Sequence, residues 1–186
     1  MSNLIEEITR RRARRALSQK AIPTEVMKRI MEAATLAPSC FNNQPARFLV
    51  AQGNEALERV RKHLSGGNYW VLKSPAVILA ATRADLDCQL DDNRDYALFD
   101  LGLGVENLVL QAFREGLVAH PIAGFKAREI KQEFGIPDDY VLITLVVLGY
   151  PGDGAHLNEK HAAAETAEQI RKPVEEVVFY DEWKSE

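Results

Sequence analysis

The chain has 186 residues, 46% of them apolar and 27% charged, with a formal net charge of −4. This length and composition suit one domain spanning 1–186 with a core of its own. An acidic chain that gathers its basic residues in one place argues against nucleic acid as a partner, and no apolar run is long enough for a membrane-spanning helix. The cysteines Cys40 and Cys88 lie far apart with no C-x-x-C spacing, which argues against a disulfide framework and against a thiolate zinc site. The charged start MSNLIEEITRR lacks the apolar stretch of a signal peptide, so a reducing, cytoplasmic setting is expected.

Asn3 and Glu6 make a capping-box-like start to a first helix carrying Leu4, Ile5 and Ile8. The pattern runs on into Arg10, Arg11, Arg12, Arg14 and Arg15. On a helix Arg11 and Arg15 are one turn apart and repel. A bound anion removes that repulsion and gains charge-assisted contacts, whereas a solvated basic face is the other reading. Pro23 opens a second helix with Val26, Met27, Ile30, Ala33 and Ala34 on one face, ending before Pro38. The segment APSCFNNQPAR is a loop by composition. Its small Ser39 and Cys40 allow close approach of a ligand and its amides can read a heteroaromatic edge, although a plain helix-to-strand connector has the same composition. RFLVAQ reads as a strand, Glu55 to Leu64 as a surface helix, Gly66-Gly67-Asn68 as a turn and PAVILAAT as a buried strand.

Arg94 to Glu115 carries a long helical pattern that Gly116 ends. Leu117 to Ile122 is a short strand leading to the turn Ala123-Gly124-Phe125, where a glycine lets backbone come close to a ligand. Lys126 to Phe134 reads as a helix, and Tyr140 to Leu148 as an apolar strand closed by Gly149, Pro151 and Gly152. From 153 to 186 the chain is polar, with no apolar face until Val174 to Tyr180. That is too long for a loop inside a compact domain, so this tail is either disordered or wraps something such as a second subunit. The fold class expected is α+β, with a mixed central sheet between helical layers. Gly102-Leu103-Gly104 lacks a third glycine, the acidic stretch from Asp85 to Asp95 lacks the glycine of a calcium loop, and the four histidines have no zinc-protease spacing. No G-x-S-x-G elbow is present.

Taken in order, these segments resemble the nitroreductase family of flavoproteins. Arg11-Arg12-Ala13-Arg14-Arg15 resembles that family's R-R-S-x-R, and Ala37 to Ala46 its A-P-S-S-x-N-x-Q-P-W. Gly67-Asn68 resembles its Gly-Asn turn, and Gly116-Leu117 through Pro121-Ile122-Ala123-Gly124-Phe125 its GL-x-x-x-P-I-x-GF. Arg171-Lys172-Pro173 resembles its basic pair before proline. The match covers nearly the whole chain.

The resemblance implies a homodimer with FMN at the subunit interface, the tail embracing the partner, and no protein acid, base or nucleophile. Hydride passes from NADH or NADPH to flavin N5 and then, in a ping-pong cycle, to a nitroaromatic, quinone or similar small acceptor. It implies that Arg11 and Arg171 bind the phosphate, with Arg12, Ala13 and Lys172 at that end, and that Arg15 approaches the flavin pyrimidine. Pro38, Ser39, Cys40 and Asn42 of the partner border the ring and ribityl chain, Asn68 meets the ring edge, and Pro121, Ile122, Ala123 and Gly124 pack on one ring face. Ala13, Cys40, Ala46 and Ala123 depart from the family pattern, and the short chain lacks a lid insertion, which implies an open pocket. A flavin-storage protein with little turnover is the alternative. A non-flavin module that uses the arginines for acidic partners is a third reading.

Overall fold

The computed structural model describes residues 3–183. Its helices are α1 (Glu6–Arg10), α2 (Thr24–Thr35), α3 (Asn54–Arg61), α4 (Tyr96–Arg114), α5 (Ala127–Phe134), α6 (Glu159–Thr166) and α7 (Val174–Val177). Its strands are β1 (Arg47–Gln52), β2 (Ala76–Thr82), β3 (Val118–Ile122) and β4 (Val141–Gly149). The strands form one sheet in the order β1-β2-β4-β3.

Every neighbouring pair in that sheet is antiparallel. The α+β class is therefore as expected, but the sheet is antiparallel, not mixed, among the described residues. The reason is connectivity: α3 returns the chain so that β2 runs against β1, and α5 does the same between β3 and β4.

Strand β2 is buried along its whole length and serves both faces. Ala76, Ile78 and Ala80 point into a core with Ile30 of α2 and Leu101 and Leu108 of α4. Val77, Leu79 and Ala81 point the other way, onto Leu57 and Val60 of α3, Trp70, and Ile130 of α5. The two-residue period of a strand splits this apolar run between two helical layers, and each fully buried aliphatic side chain contributes roughly 1.5–3 kcal/mol.

The first helix is shorter than its sequence pattern. It starts at Glu6 without a side-chain cap and stops at Arg10. Tertiary pairing takes over from there. Ser18 N donates to Tyr150 O at 2.9 Å and Gly152 N donates to Ala16 O at 2.8 Å, while Leu17 bridges to Pro151. A chain paired edge to edge in this way is extended, so Arg11 and Arg15 do not share a helical face. Gly152 is a glycine because of this approach: a Cβ there would lie 2.5 Å from Leu17 O.

Two further differences from expectation follow from three-dimensional proximity. Cys40 and Cys88, 48 residues apart, are joined in a disulfide. The turn Ala84–Leu86 carries Cys88 back beside the loop after α2, a proximity that sequence spacing does not report. The tail forms α6 and α7, yet no residue from 153 to 183 is buried. Ile170 is 83% exposed and Trp183 84%.

Candidate functional site

The pairing of Ala16–Ser18 with the end of β4 presents the preceding arginines along one wall of a cleft of about 260 Å³. Arg11, Arg12, Ala13 and Arg14 form that wall, and the tail residues Ala164 to Arg171 form the other. Arg11 and Arg171, from opposite ends of the chain, thus face one cavity. Arg12 Nη1 is oriented by Thr9 O at 3.0 Å and by Arg11 O at 2.9 Å, and Arg171 Nη1 by Ile170 O at 2.7 Å. Among the described residues no carboxylate forms an ion pair with Arg11, Arg12, Arg14 or Arg171, although most other arginines have one.

Glu165 closes the inner end of the cleft. Its Oε1 accepts from Arg15 N at 2.7 Å, and its backbone carbonyl accepts from Arg14 Nη1 at 3.0 Å. Its Oε2 is buried without a hydrogen-bond partner among the described residues. A buried acceptor in that state is a place for a ligand donor.

Deeper still, the Arg15 guanidinium lies 6.0 Å from the centre of the Trp70 ring, and Trp70 packs against the His120 ring at 4.8 Å. His120 Nδ1 is 3.0 Å from Arg14 O, so it carries the proton and donates. Burial pushes the His120 pKa below its ordinary value, against the opposing pull of that bond, and Arg15 pushes it lower. His120 is therefore a neutral prop beneath the arginine segment. Tyr69 ties the tail to this floor: its hydroxyl accepts from Asn158 N at 2.8 Å and lies 3.1 Å from His161 Nδ1.

The turn after β3 adjoins the expected Gly67-Asn68 turn. Asn68 Nδ2 donates to Gly124 O at 2.8 Å, and Ser65 N donates to the same oxygen at 2.9 Å. A Cβ on Gly124 would stand 2.8 Å from Asn68 Nδ2, so the glycine answers to Asn68. Pro121 and Ala123 are exposed, whereas the Ile122 side chain belongs to the core.

The loop Pro38 to Asn42 does not reach this cleft. Its 3-10 turn Cys40–Asn42 holds Phe41 and Asn42 at φ of 47° and 59°, in the left-handed region. Cys40 N donates to Asp100 Oδ2 at 2.7 Å, and Ser39 Oγ accepts from Gln44 N at 2.9 Å. Pro38 and Ser39 line a separate cavity of about 210 Å³ with Asp100 and Phe48. Lys172 is exposed beside the arginine cleft without lining it. The fold brings together Arg11, Arg12, Ala13 and Arg171, and separately Asn68 and Gly124. It leaves Pro38, Ser39, Cys40 and Asn42 apart from both.

Sequence reasoning missed Glu165, Tyr69 and Trp70, and it gave His120 no role. Trp70 carries an aromatic signal in a turn, but Glu165 sits in a stretch without apolar periodicity, and nothing in its neighbours points to the arginines.

The nitroreductase family model matches residues 8–69 and 62–150. An uncharacterised 15.4 kDa protein of Mycolicibacterium smegmatis is 31% identical over 146 residues, covering 74% of this chain and 97% of its own. An NADH dehydrogenase of Thermus thermophilus is 26% identical over 203 residues, covering 92% of each chain. A crystal structure described as an oxidoreductase containing FMN superposes with a TM-score of 0.89 at 25% identity, covering 100% of this chain and 96% of that one.

Proposed function

Because this chain belongs to the nitroreductase family, we propose that it uses FMN to pass hydride from NADH or NADPH to nitroaromatic, quinone or similar small acceptors in a ping-pong cycle. The observation that carries this reading is the cleft lined by Arg11, Arg12 and Arg171, none of which forms an ion pair among the described residues even though Glu165 and Glu168 line the same cleft. The residues fit the group. A phosphate monoester supplies the anion that these guanidinium groups lack, and a ribityl hydroxyl supplies the donor that Glu165 Oε2 lacks.

When bound, FMN supplies two-electron hydride chemistry. The chain's residues do the rest. Arg11, Arg12 and Arg171 hold the phosphate, with the Ala13 backbone beside it and Lys172 adding charge at the rim. Arg15, propped by Trp70 and His120, would offer a fixed positive charge to the pyrimidine side of the flavin. Asn68 orders the Gly124 carbonyl and with it the turn that carries Ala123 and follows Pro121 and Ile122 of β3. Pro38, Ser39, Cys40 and Asn42 reach the ring from a second copy of the chain. The exposed apolar residues of the tail support that dimer, since Ile170, Val174, Tyr180 and Trp183 stand largely exposed among the described residues. No helix among the described residues is long and apolar enough to cross a membrane. We place the protein in the cytoplasm, where NAD(P)H is available, and treat 1–186 as one domain.

The purified protein is expected to be yellow, dimeric by sizing, and bleached by NADH or NADPH without oxygen. A holoprotein that stays oxidised with both donors refutes the reductase reading and leaves a flavin store. A colourless protein with no affinity for added FMN refutes the flavin site altogether.

A further inference from the structure

We propose that Cys40, Cys88 and Asp87 form a redox-gated binding site for a thiophilic divalent cation of the zinc type, closed as a disulfide and opened by reduction. None of these residues lines the arginine cleft, although Cys40 also belongs to the loop that the proposed function sets beside the flavin of a second copy.

Both sulfurs and a carboxylate oxygen of Asp87 lie within 4.8 Å of one another. Asp87 is only 6% exposed, and its Oδ2 has no hydrogen-bond partner among the described residues. Its Oδ1 accepts from Asn43 Nδ2 at 3.2 Å, and the same Nδ2 lies 3.8 Å from Cys88 Sγ. The buried Asp87 carboxylate thus lies beside the two sulfurs and also beside the Asp100 carboxyl, a concentration of negative charge that a cation would offset.

The backbone is already arranged for ligation. The left-handed Phe41 and Asn42 wrap the turn around Cys40, and the bond from Cys40 N to Asp100 Oδ2 fixes it. The Cα atoms of the two cysteines are 6.2 Å apart. Zinc–sulfur bonds of about 2.3 Å in a tetrahedron set the sulfurs about 3.8 Å apart, which rotation of the two side chains achieves. Both cysteines are half-buried, which leaves an entry path, and two thiolates with one carboxylate leave a fourth position for water. Asn43 stands ready to hydrogen-bond a thiolate.

The chemistry balances. A dithiol reductant delivers two electrons and two protons to the Cys40–Cys88 bond and becomes a disulfide itself, leaving two thiols. Cation uptake then forms two metal–sulfur bonds and releases the two thiol protons.

The test uses the full chain with its bound flavin. One sample is kept oxidised, the other is reduced with a phosphine, which takes the oxygen of one water, and both are desalted without oxygen and titrated with Co2+. The reduced sample is expected to take up one Co2+ per chain, with thiolate charge transfer in the near-ultraviolet difference spectrum and tetrahedral d–d absorption at wavelengths longer than oxidised flavin absorbs, and to lose it to Zn2+. The oxidised sample is expected to take up none. Cys88→Ser should remove the thiolate signature, and Asp87→Asn should weaken Co2+ binding roughly 10–100-fold. Absence of the band in the reduced parent chain, equal uptake by the oxidised chain, or undiminished affinity in Asp87→Asn overturns the proposal. The comparison of the two redox states needs no variant to fold.

Discussion

Gly152→Ala tests whether the pairing of Ala16–Ser18 with the end of β4 holds the arginine cleft together. The added methyl would lie 2.5 Å from Leu17 O, 2.6 Å from Leu17 C and 2.8 Å from Ser18 N. All three are backbone atoms, so no flexible side chain can turn away. Comfortable contact is about 3.5 Å or more, so the two segments must part by about 1 Å. That strains the bonds from Gly152 N to Ala16 O and from Ser18 N to Tyr150 O, and it lifts Leu17, which is 3% exposed, from its seat. Overpacking costs about 1–3 kcal/mol and each lost hydrogen bond about 0.5–1.5, so the expected loss is about 2–6 kcal/mol. Against a total stability of roughly 5–15 kcal/mol, urea denaturation resolves this as a lower midpoint at unchanged slope. Flavin content per chain should fall too, because the displaced segment carries Arg14 and Arg15. Gly67→Ala is the control: nothing lies within 4 Å of its added methyl, and the change should stay within about 0.5 kcal/mol. If Gly152→Ala melts with that control and keeps its flavin, the pairing does not position the arginines.

Arg11→Ala and Arg171→Ala should each weaken FMN binding by about 1.5–3 kcal/mol, the scale of a charge-assisted hydrogen bond, in fluorescence titration of the apoprotein. Lys172→Ala should cost less, since Lys172 does not line the cleft; an equal loss at 172 would move the phosphate outward. His120 has a lowered pKa in the fold, so below 6.5 the unfolded chain takes up a proton that the folded chain refuses. Stability is then full above that pH and falls as the solution is acidified. His120→Asn keeps a donor for Arg14 O and should flatten the decline between about pH 7 and 5, and an unchanged slope would assign it to other groups. Ile30→Ala empties a fully buried site between α2 and the sheet, and should cost about 2–5 kcal/mol in the same denaturation experiment. A loss below about 1 kcal/mol would mean that this layer repacks freely.

Much of the fold is written locally. RFLVAQ is β1 from end to end, the apolar run Tyr140 to Leu148 is β4 to within one residue, and the pattern from Arg94 to Glu115 is α4 to within two. These segments are legible because burial on one or two faces imposes a period of two or 3.6 on the residues themselves. The site was legible in parts. Arg11, Arg12, Arg171, Asn68 and Gly124 stand in motifs that carry a family resemblance, and the fold gathers them in two separate places.

By itself, the sequence determined the strands and most helices up to Gly149, the α+β class, the core strand β2 and the family, but not the tail helix α6. Tertiary structure decided what depends on distant partners. It ended α1 at Arg10, because the next residues lie against Tyr150–Gly152 instead of continuing a helix. It joined Cys40 to Cys88 and set Glu165 beside Arg14 and Arg15. It also made the sheet wholly antiparallel among the described residues. The physical reason is the same in each case. A periodic pattern records whether a residue is buried, whereas a pairing between remote segments records which surface buries it, and that is settled only when the whole chain packs.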